Sequence, residues 1–284
     1  MGRMWASLIM IVGISLASTL VFAGTNKKVL LITDIDDTIK VSHVLSTTGK
    51  VSRAADITTP FTGMSQLLQW IIIMNPLSTK MVYLSNAPEE IAGVPAIKFS
   101  HQSFLEYNSF PKGDLLLRED WANENHKIET IRNLIDSEMP EIVILIGDNG
   151  ERDAEIYHQA VVEYGNLGIQ IIPFIHQLYA TEIPFYIPDV LAEVGKPIFA
   201  EQFGFVTPIE IAVELNKQNV LSAAGLQWMI QEVAPYIVDE SSIKWDGLKP
   251  ITFPFFANCS DFKWRWAETA ELMPLINKIK KQCN

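Results

Sequence analysis

Cysteine is almost absent from this chain of 284 residues: Cys259 and Cys283 are the two that occur, both near the C-terminus. Two thiols that far apart make a poor zinc site, which takes about four ligands. An even pair permits one disulfide if the chain enters an oxidising compartment, and two ordinary thiols if it does not. Basic residues are scarce as well. Lys and Arg number 22 against 33 Asp and Glu, a formal net charge of −11, and no basic cluster breaks that balance. Nucleic acid is therefore disfavoured as a partner, since its backbone is held mainly by clustered Lys and Arg. Internal repeats and low-complexity segments are also lacking, and the even mix of apolar and charged residues reads as globular.

Long apolar runs are lacking too, with one exception. Residues 5–22, after Arg3, are apolar apart from Ser, Thr and Gly, and Gly24, Lys27 and Lys28 follow. Val21 and Ala23 place small residues three and one before a possible cut, so a secretory signal peptide over 1–23 is expected, with export to the periplasm or outside the cell. The run also approaches the ~18–20 apolar residues that span a bilayer, which leaves an uncleaved N-terminal anchor as the alternative.

What is present is a rhythm. Apolar runs at 28–33, 81–84, 142–146 and 169–175 each end on polar residues, as strands buried on both faces do. Segments of helical spacing lie between them at 64–74, 95–107, 126–135 and 153–164. The alternation implies an α/β fold with a parallel sheet, helices on both faces, and ligands beyond the carboxyl ends of the strands. From about Tyr179 the pattern changes to Pro-rich stretches, two helix-like segments near 209–215 and 226–236, and an aromatic tail. The tail (Phe253, Phe255, Phe256, Phe262, Trp264, Trp266) reads as the extension's own core or as a membrane-facing patch.

The strand ends carry the chemistry. Asp34-Ile35-Asp36-Asp37-Thr38 puts three carboxylates in four positions, which repel unless a cation or substrate compensates. Asp34 and Asp36 can converge there, one to attack and one to handle a proton. Asp36 or Asp37 capping a following helix is the plainer reading. Gly147-Asp148-Asn149-Gly150-Glu151-Arg152-Asp153 offers Asp148 and Asp153 to a hard cation such as Mg²⁺, though the string also suits a turn and a helix cap. Ser85-Asn86 and Lys127 supply the hydroxyl and ammonium that a phosphoryl group needs; each alone fits a turn or a solvated helix face.

In sequence order these clusters read as nucleophile, hydroxyl, lysine and paired acids, and that order resembles the haloacid-dehalogenase superfamily. More narrowly, the strings DIDDTIKVSHV, YLSNAP, FPKGDLLLRE, HKIETI and LIGDNGERDAEIY, between about Val29 and Ile175, resemble the catalytic domain of the actin-patch phosphatidate phosphatase family. The resemblance implies a Rossmann-like, haloacid-dehalogenase-like sheet and a Mg²⁺-dependent phosphatase. Asp34 would attack phosphorus, and Asp36 would protonate the leaving alkoxide and then activate water. Ser85 would hold a phosphoryl oxygen, with Asn86 and Thr38 as further substrate-binding candidates. Lys127 would neutralise charge, and Asp148 and Asp153 would hold Mg²⁺ with Asp34, Asp36 counting as a fourth candidate ligand. The superfamily's transport ATPases carry Thr where Asp36 stands, so Asp36 favours hydrolysis. Ala87 and Asn149 stand where the narrower family would have Ser.

The gaps 39–82 and 87–126 are too short for a large cap once sheet elements are subtracted, so an open site is expected. The expected organisation is a signal peptide at 1–23, a catalytic domain at 24–178 and a mainly helical extension at 179–284 packed on it. The leading function is hydrolysis of a phosphomonoester, phosphatidate or a related lipid phosphate by resemblance, with peripheral contact to a membrane. The alternatives are an exported phosphatase for nucleotide or sugar phosphates, or a silent binding module of the same fold.

Overall fold

The computed structural model describes residues 27–46, 55–75, 78–90, 93–182, 194–240, 243–246, 249–252 and 258–283. The expected signal peptide and Phe253, Phe255 and Phe256 lie outside the described residues. The elements in chain order are β1 (Val29–Thr33), α1 (Met64–Met74), β2 (Thr79–Pro88), α2 (Ala96–Tyr107), β3 (Asp114–Arg118), α3 (His126–Glu138), β4 (Ile142–Asp148), α4 (Asp153–Tyr164) and β5 (Gln170–His176). Then come β6 (Phe203–Phe205), α5 (Pro208–Lys217), α6 (Ala223–Trp228), a π turn (Met229–Val233), α7 (Ala234–Asp239), the hairpin β7 (Ile243–Asp246) and β8 (Lys249–Thr252), and α8 (Met273–Cys283).

β1 to β6 form one parallel sheet in the order β3-β2-β1-β4-β5-β6. β1 and β4 lie at its centre and are buried throughout, which is why both read as unbroken apolar runs. Side chains alternate across the sheet. Val29, Leu31, Ile142, Ile144 and Ile146 face the core shared with α1, α2 and the C-terminal helices. Leu30, Ile32, Val143 and Leu145 face Ile128, Ile131, Ile135, Ala154, Ile156 and Tyr157 from α3 and α4. Each of these large aliphatic side chains contributes about 1.5–3 kcal/mol by leaving water.

Two sheet strands have no counterpart in the sequence reading. β3 is a five-residue edge strand whose Leu run is framed by Asp114 and Arg118, and it is only partly buried. β6 is the tripeptide Phe-Gly-Phe, too short for a period to show, and it pairs with β5 from within the C-terminal region. That region thus completes the sheet as well as packing on it. Its described tail aromatics turn inward. Phe262 is buried, while Trp264 and Trp266 are half-buried against the core and the Trp266 indole donates to Glu214 at 2.9 Å. Lys278 on α8 donates to the carbonyls of Ile237 and Val238 at the end of α7, satisfying acceptors that a helix C-terminus leaves open.

Cys259 and Cys283 are joined in a disulfide that ties the tail to the last helix, with Cα atoms 4.7 Å apart and a sequence separation of 24. A loop of that size removes about 3 kcal/mol of unfolded-state freedom. Cys283→Ser should lower unfolding stability by about that amount, read from denaturant curves, and denatured, unreduced wild type should show no reactive thiol. Two reactive thiols would refute the bond. Among the described residues no helix is long and apolar enough to cross a membrane.

Candidate active site

The chain departs from β1 toward β2 and β3 on one side and occupies β4, β5 and β6 on the other, so the carboxyl ends of β1 and β4 flank the point where strand order reverses. Such a crevice is where open α/β sheets bind ligands. Asp34 leaves β1 there, Asp148 ends β4, Ser85 lies late in β2, and Asp153 opens α4. No separate cap is built among the described residues: α1 lies between β1 and β2, and α2 with β3 between β2 and α3.

Four of the sequence-predicted residues meet in one buried knot. Lys127 Nζ donates to Asp34 Oδ1 at 2.7 Å and to Asp153 Oδ1 at 2.5 Å, and all three side chains are almost fully enclosed. Thr38 Oγ1 donates to Asp34 Oδ2 at 3.1 Å, so the nucleophile candidate is held at both oxygens. Asp148 accepts from the backbone N–H of Gly150 at 2.5 Å and of Glu151 at 3.3 Å. Asp34, Asp148 and Asp153 each present an oxygen within 4.8 Å of the others. Gly147 makes this possible. A Cβ there would lie 2.4 Å from Asp153 Oδ2, so only glycine lets that carboxylate rise beside β4.

The charges do not balance. Three buried carboxylates gather around one ammonium that pairs with two of them. Burial, then Asp153 and Asp36 against the pull of Lys127, holds the Asp34 carboxyl well above its ordinary range. Burial with Asp153 and Asp34 does the same to Asp148, and burial outweighs Lys127 at Asp153. Lys127 is itself held well above the usual lysine value, because Asp153 and Asp34 overcome a burial that would lower it. A further cation is what would let all three acids ionise together.

Asp36 stands apart from this knot. Its Oδ1 accepts from Ser42 Oγ at 2.5 Å and its Oδ2 lies 3.5 Å from His101 Nε2. Burial pushes its carboxyl up, but His101, Lys40 and the Ser42 hydroxyl together bring it below the ordinary value. A cavity of about 520 Å³ is lined by Asp34, Asp36, Ser85 and Asn86 among others. Ser85 Oγ accepts the Ala87 backbone N–H at 3.0 Å, which leaves the hydroxyl proton able to donate.

Asp37 caps no helix. It lies at φ 60°, and its carboxylate accepts the N–H groups of Ser42, His43 and Val44 and the Tyr179 hydroxyl, folding the loop after β1 back over the site. His176 Nδ1 pairs with the Asp37 carbonyl at 2.9 Å. Asn149 proves structural too. Its amide donates to the Tyr179 carbonyl at 2.7 Å and accepts from the N–H groups of Leu178 and Tyr179 at 3.0 and 3.1 Å. A serine hydroxyl could not span those partners. The departure at Asn149 therefore anchors the chain after β5.

Sequence reasoning gave no role to Lys40, His101, Arg118 or Trp121, all of which line the cavity. His101 had a signal: it shares the buried face of α2 with Phe104 and Leu105, so a polar ring there faces the interior. Arg118 lies within the string FPKGDLLLRE, but with β3 not recognised it received no role.

The parallel sheet, the reversal point and the Asp34–Lys127–Asp153 knot define an enzyme of the haloacid-dehalogenase type. Residues 29–173, about half of the chain, match the family described as "Phosphatidate phosphatase APP1, catalytic domain", and the chain belongs to that family. It is 26% identical over 190 residues to the phosphatidate phosphatase APP1 of Saccharomyces cerevisiae, an alignment covering 61% of this chain and 30% of the yeast protein. The chain thus spans under a third of that relative's length. No solved structure matches it.

Proposed function

We propose that this chain hydrolyses phosphomonoesters through a phosphorylated Asp34, with Mg²⁺ as cofactor and a lipid phosphate of the phosphatidate kind as substrate. The observation that carries the proposal is Lys127 locked between Asp34 and Asp153, with Asp34 opening onto a cavity that Asp36 and Ser85 also line. Asp34, Asp148 and Asp153 fit Mg²⁺, being hard oxygen donors gathered within 4.8 Å and short of positive charge. Bound by them, the ion would offset phosphoryl charge and bring an anionic ester to an acidic protein.

Asp34, oriented by Lys127 and Thr38, attacks phosphorus; the ester P–O bond breaks and the alkoxide leaves with a proton from Asp36. Water then attacks the phosphorylated Asp34 with Asp36 taking its proton, which releases phosphate and restores the carboxylate. The ionised state that His101, Lys40 and Ser42 favour at Asp36 suits this second half. An entering phosphate dianion raises a neighbouring carboxyl and so favours the protonated form that the first half requires. Ser85 and Asn86, which line the cavity with Asp34, orient phosphoryl oxygens, and Lys127 neutralises charge as Asp34 reacts.

The lipid assignment rests on family membership and on a cavity wall of Val44, Ala87, Pro88, Ile97 and Trp121 that no cap covers among the described residues. The net charge of −11 opposes anionic membranes unless the acidic residues face away from the lipid. The Cys259–Cys283 bond supports an exported protein, since disulfides persist in oxidising compartments. Catalytic efficiency on short-chain phosphatidate should exceed that on glycerol 3-phosphate and a nucleoside monophosphate by about tenfold at equal Mg²⁺. Equal or better turnover of the soluble esters would remove the lipid assignment and leave the chemistry standing.

A further inference from the structure

The cavity has more hydrogen-bond donors than one phosphoryl group can use. Beside Asp34, which Lys127 and Thr38 hold by hydrogen bonds, Ser85 lines the cavity. α2 and β3 contribute a second set. His101 is 2% exposed; its Nε2 faces Asp36 Oδ2 at 3.5 Å, and its Nδ1 has no hydrogen-bond partner. The Nε of Arg118 is likewise buried with no hydrogen-bond partner, and the guanidinium lies 5.0 Å from the ring centroid of Trp121, which is 66% exposed. Both residues line the same cavity, whose lining also includes the apolar Ala87, Pro88 and Ile97.

A buried donor without an acceptor is costly, and such groups in a cavity commonly mark where a ligand atom belongs. Arg118 can only donate, so the partner its buried Nε lacks is an acceptor oxygen. Arg118 and His101 line the cavity together with Asp36, the proton donor to the leaving group, so that oxygen belongs to the leaving group and is attached to something that prefers apolar walls to water. One face of Trp121 is already covered by the guanidinium, so the ring serves as a wall that keeps Arg118 extended over the cavity.

We propose that Arg118, held by Trp121, and His101 form a leaving-group subsite that binds the ester carbonyl oxygens of an acylated glycerol phosphate, making Arg118 the residue that separates lipid from soluble phosphomonoesters. The inference deepens the functional proposal above and rests on it. Arg118 binds and selects. It takes no part in the phosphoryl transfer itself, so its loss falls on KM rather than on kcat.

The test compares dioctanoyl phosphatidate with glycerol 3-phosphate, which differ by the two acyl esters, in wild type, Arg118→Met and Trp121→Ala. Arg118→Met keeps an apolar stem against Trp121 while removing every donor, and Trp121→Ala alters a residue too exposed to threaten folding. For Arg118→Met, KM for the diacyl substrate should rise about tenfold while its kcat stays near wild type, with kcat/KM on glycerol 3-phosphate falling about threefold at most. Trp121→Ala should shift the diacyl KM in the same direction by a smaller factor. Equal losses on the two substrates, or a loss confined to kcat, would overturn the subsite while wild-type turnover keeps the phosphatase reading intact. A larger loss on a nucleoside monophosphate than on phosphatidate would overturn it as well and reassign the pocket. A wild type that hydrolyses neither ester would remove the underlying reading together with the subsite.

Discussion

Asp34→Asn should abolish turnover and leave the fold at least as stable as wild type. The substitution removes the nucleophile at constant volume, and loss of a member of an essential catalytic unit costs on the order of 10³-fold or more. The stability sign follows from charge. Burial and the neighbouring acids raise the Asp34 carboxyl above its unfolded value, so its contribution to stability is present below the ordinary carboxylate range and lost as pH rises through the raised value. In metal-free buffer at neutral pH the asparagine variant should therefore match or exceed wild type in denaturant midpoint. Activity of the variant above about 1% of wild type would contradict the nucleophile assignment.

Lys127→Met should lose activity to a similar degree with the opposite effect on stability. Lys127 is the ammonium that Asp34 and Asp153 share, with its side chain 2% exposed. Removing one partner of a buried pair strands the other's charge, at a cost of about 3–5 kcal/mol. Here two carboxylates lose their cation at once. Adding Mg²⁺ should recover part of the lost midpoint, since an ion bound to the folded state alone stabilises by mass action. A methionine variant as stable as wild type in chelator would mean that the knot of Asp34, Lys127 and Asp153 is not held by charge. The two substitutions together separate catalytic need from electrostatic cost, because they agree on activity and disagree on stability.

The site was legible in sequence to the extent that chemistry follows strand ends. Asp34, Asp148 and Ser85 each come at or near the end of an unbroken apolar run, and a strand buried on both faces leaves such runs plainly visible. Lys127 was legible through the order of motifs rather than through its own surroundings, because a lysine opening an amphipathic helix looks like any solvated one. What stayed hidden depends on contacts between distant parts of the chain. Asp37 reads as a helix cap until Tyr179, 142 positions away, is seen to donate to it. Asn149 reads as a turn residue until the chain at Leu178 and Tyr179 returns to its amide. β3 and β6 are edge strands, one half-buried with charged ends and one three residues long, and neither carries a period. Arg118 was lost with β3.

The most direct measurement is a rapid acid quench of wild type turning over a ³²P-labelled phosphomonoester with Mg²⁺, followed by proteolysis and mapping of the labelled peptide. The account predicts protein-bound label on the peptide carrying Asp34, labile to hydroxylamine as an acyl phosphate is, and absent from Asp34→Asn. Phosphate release at the wild-type rate with no label on Asp34, or with label on another residue, would contradict it.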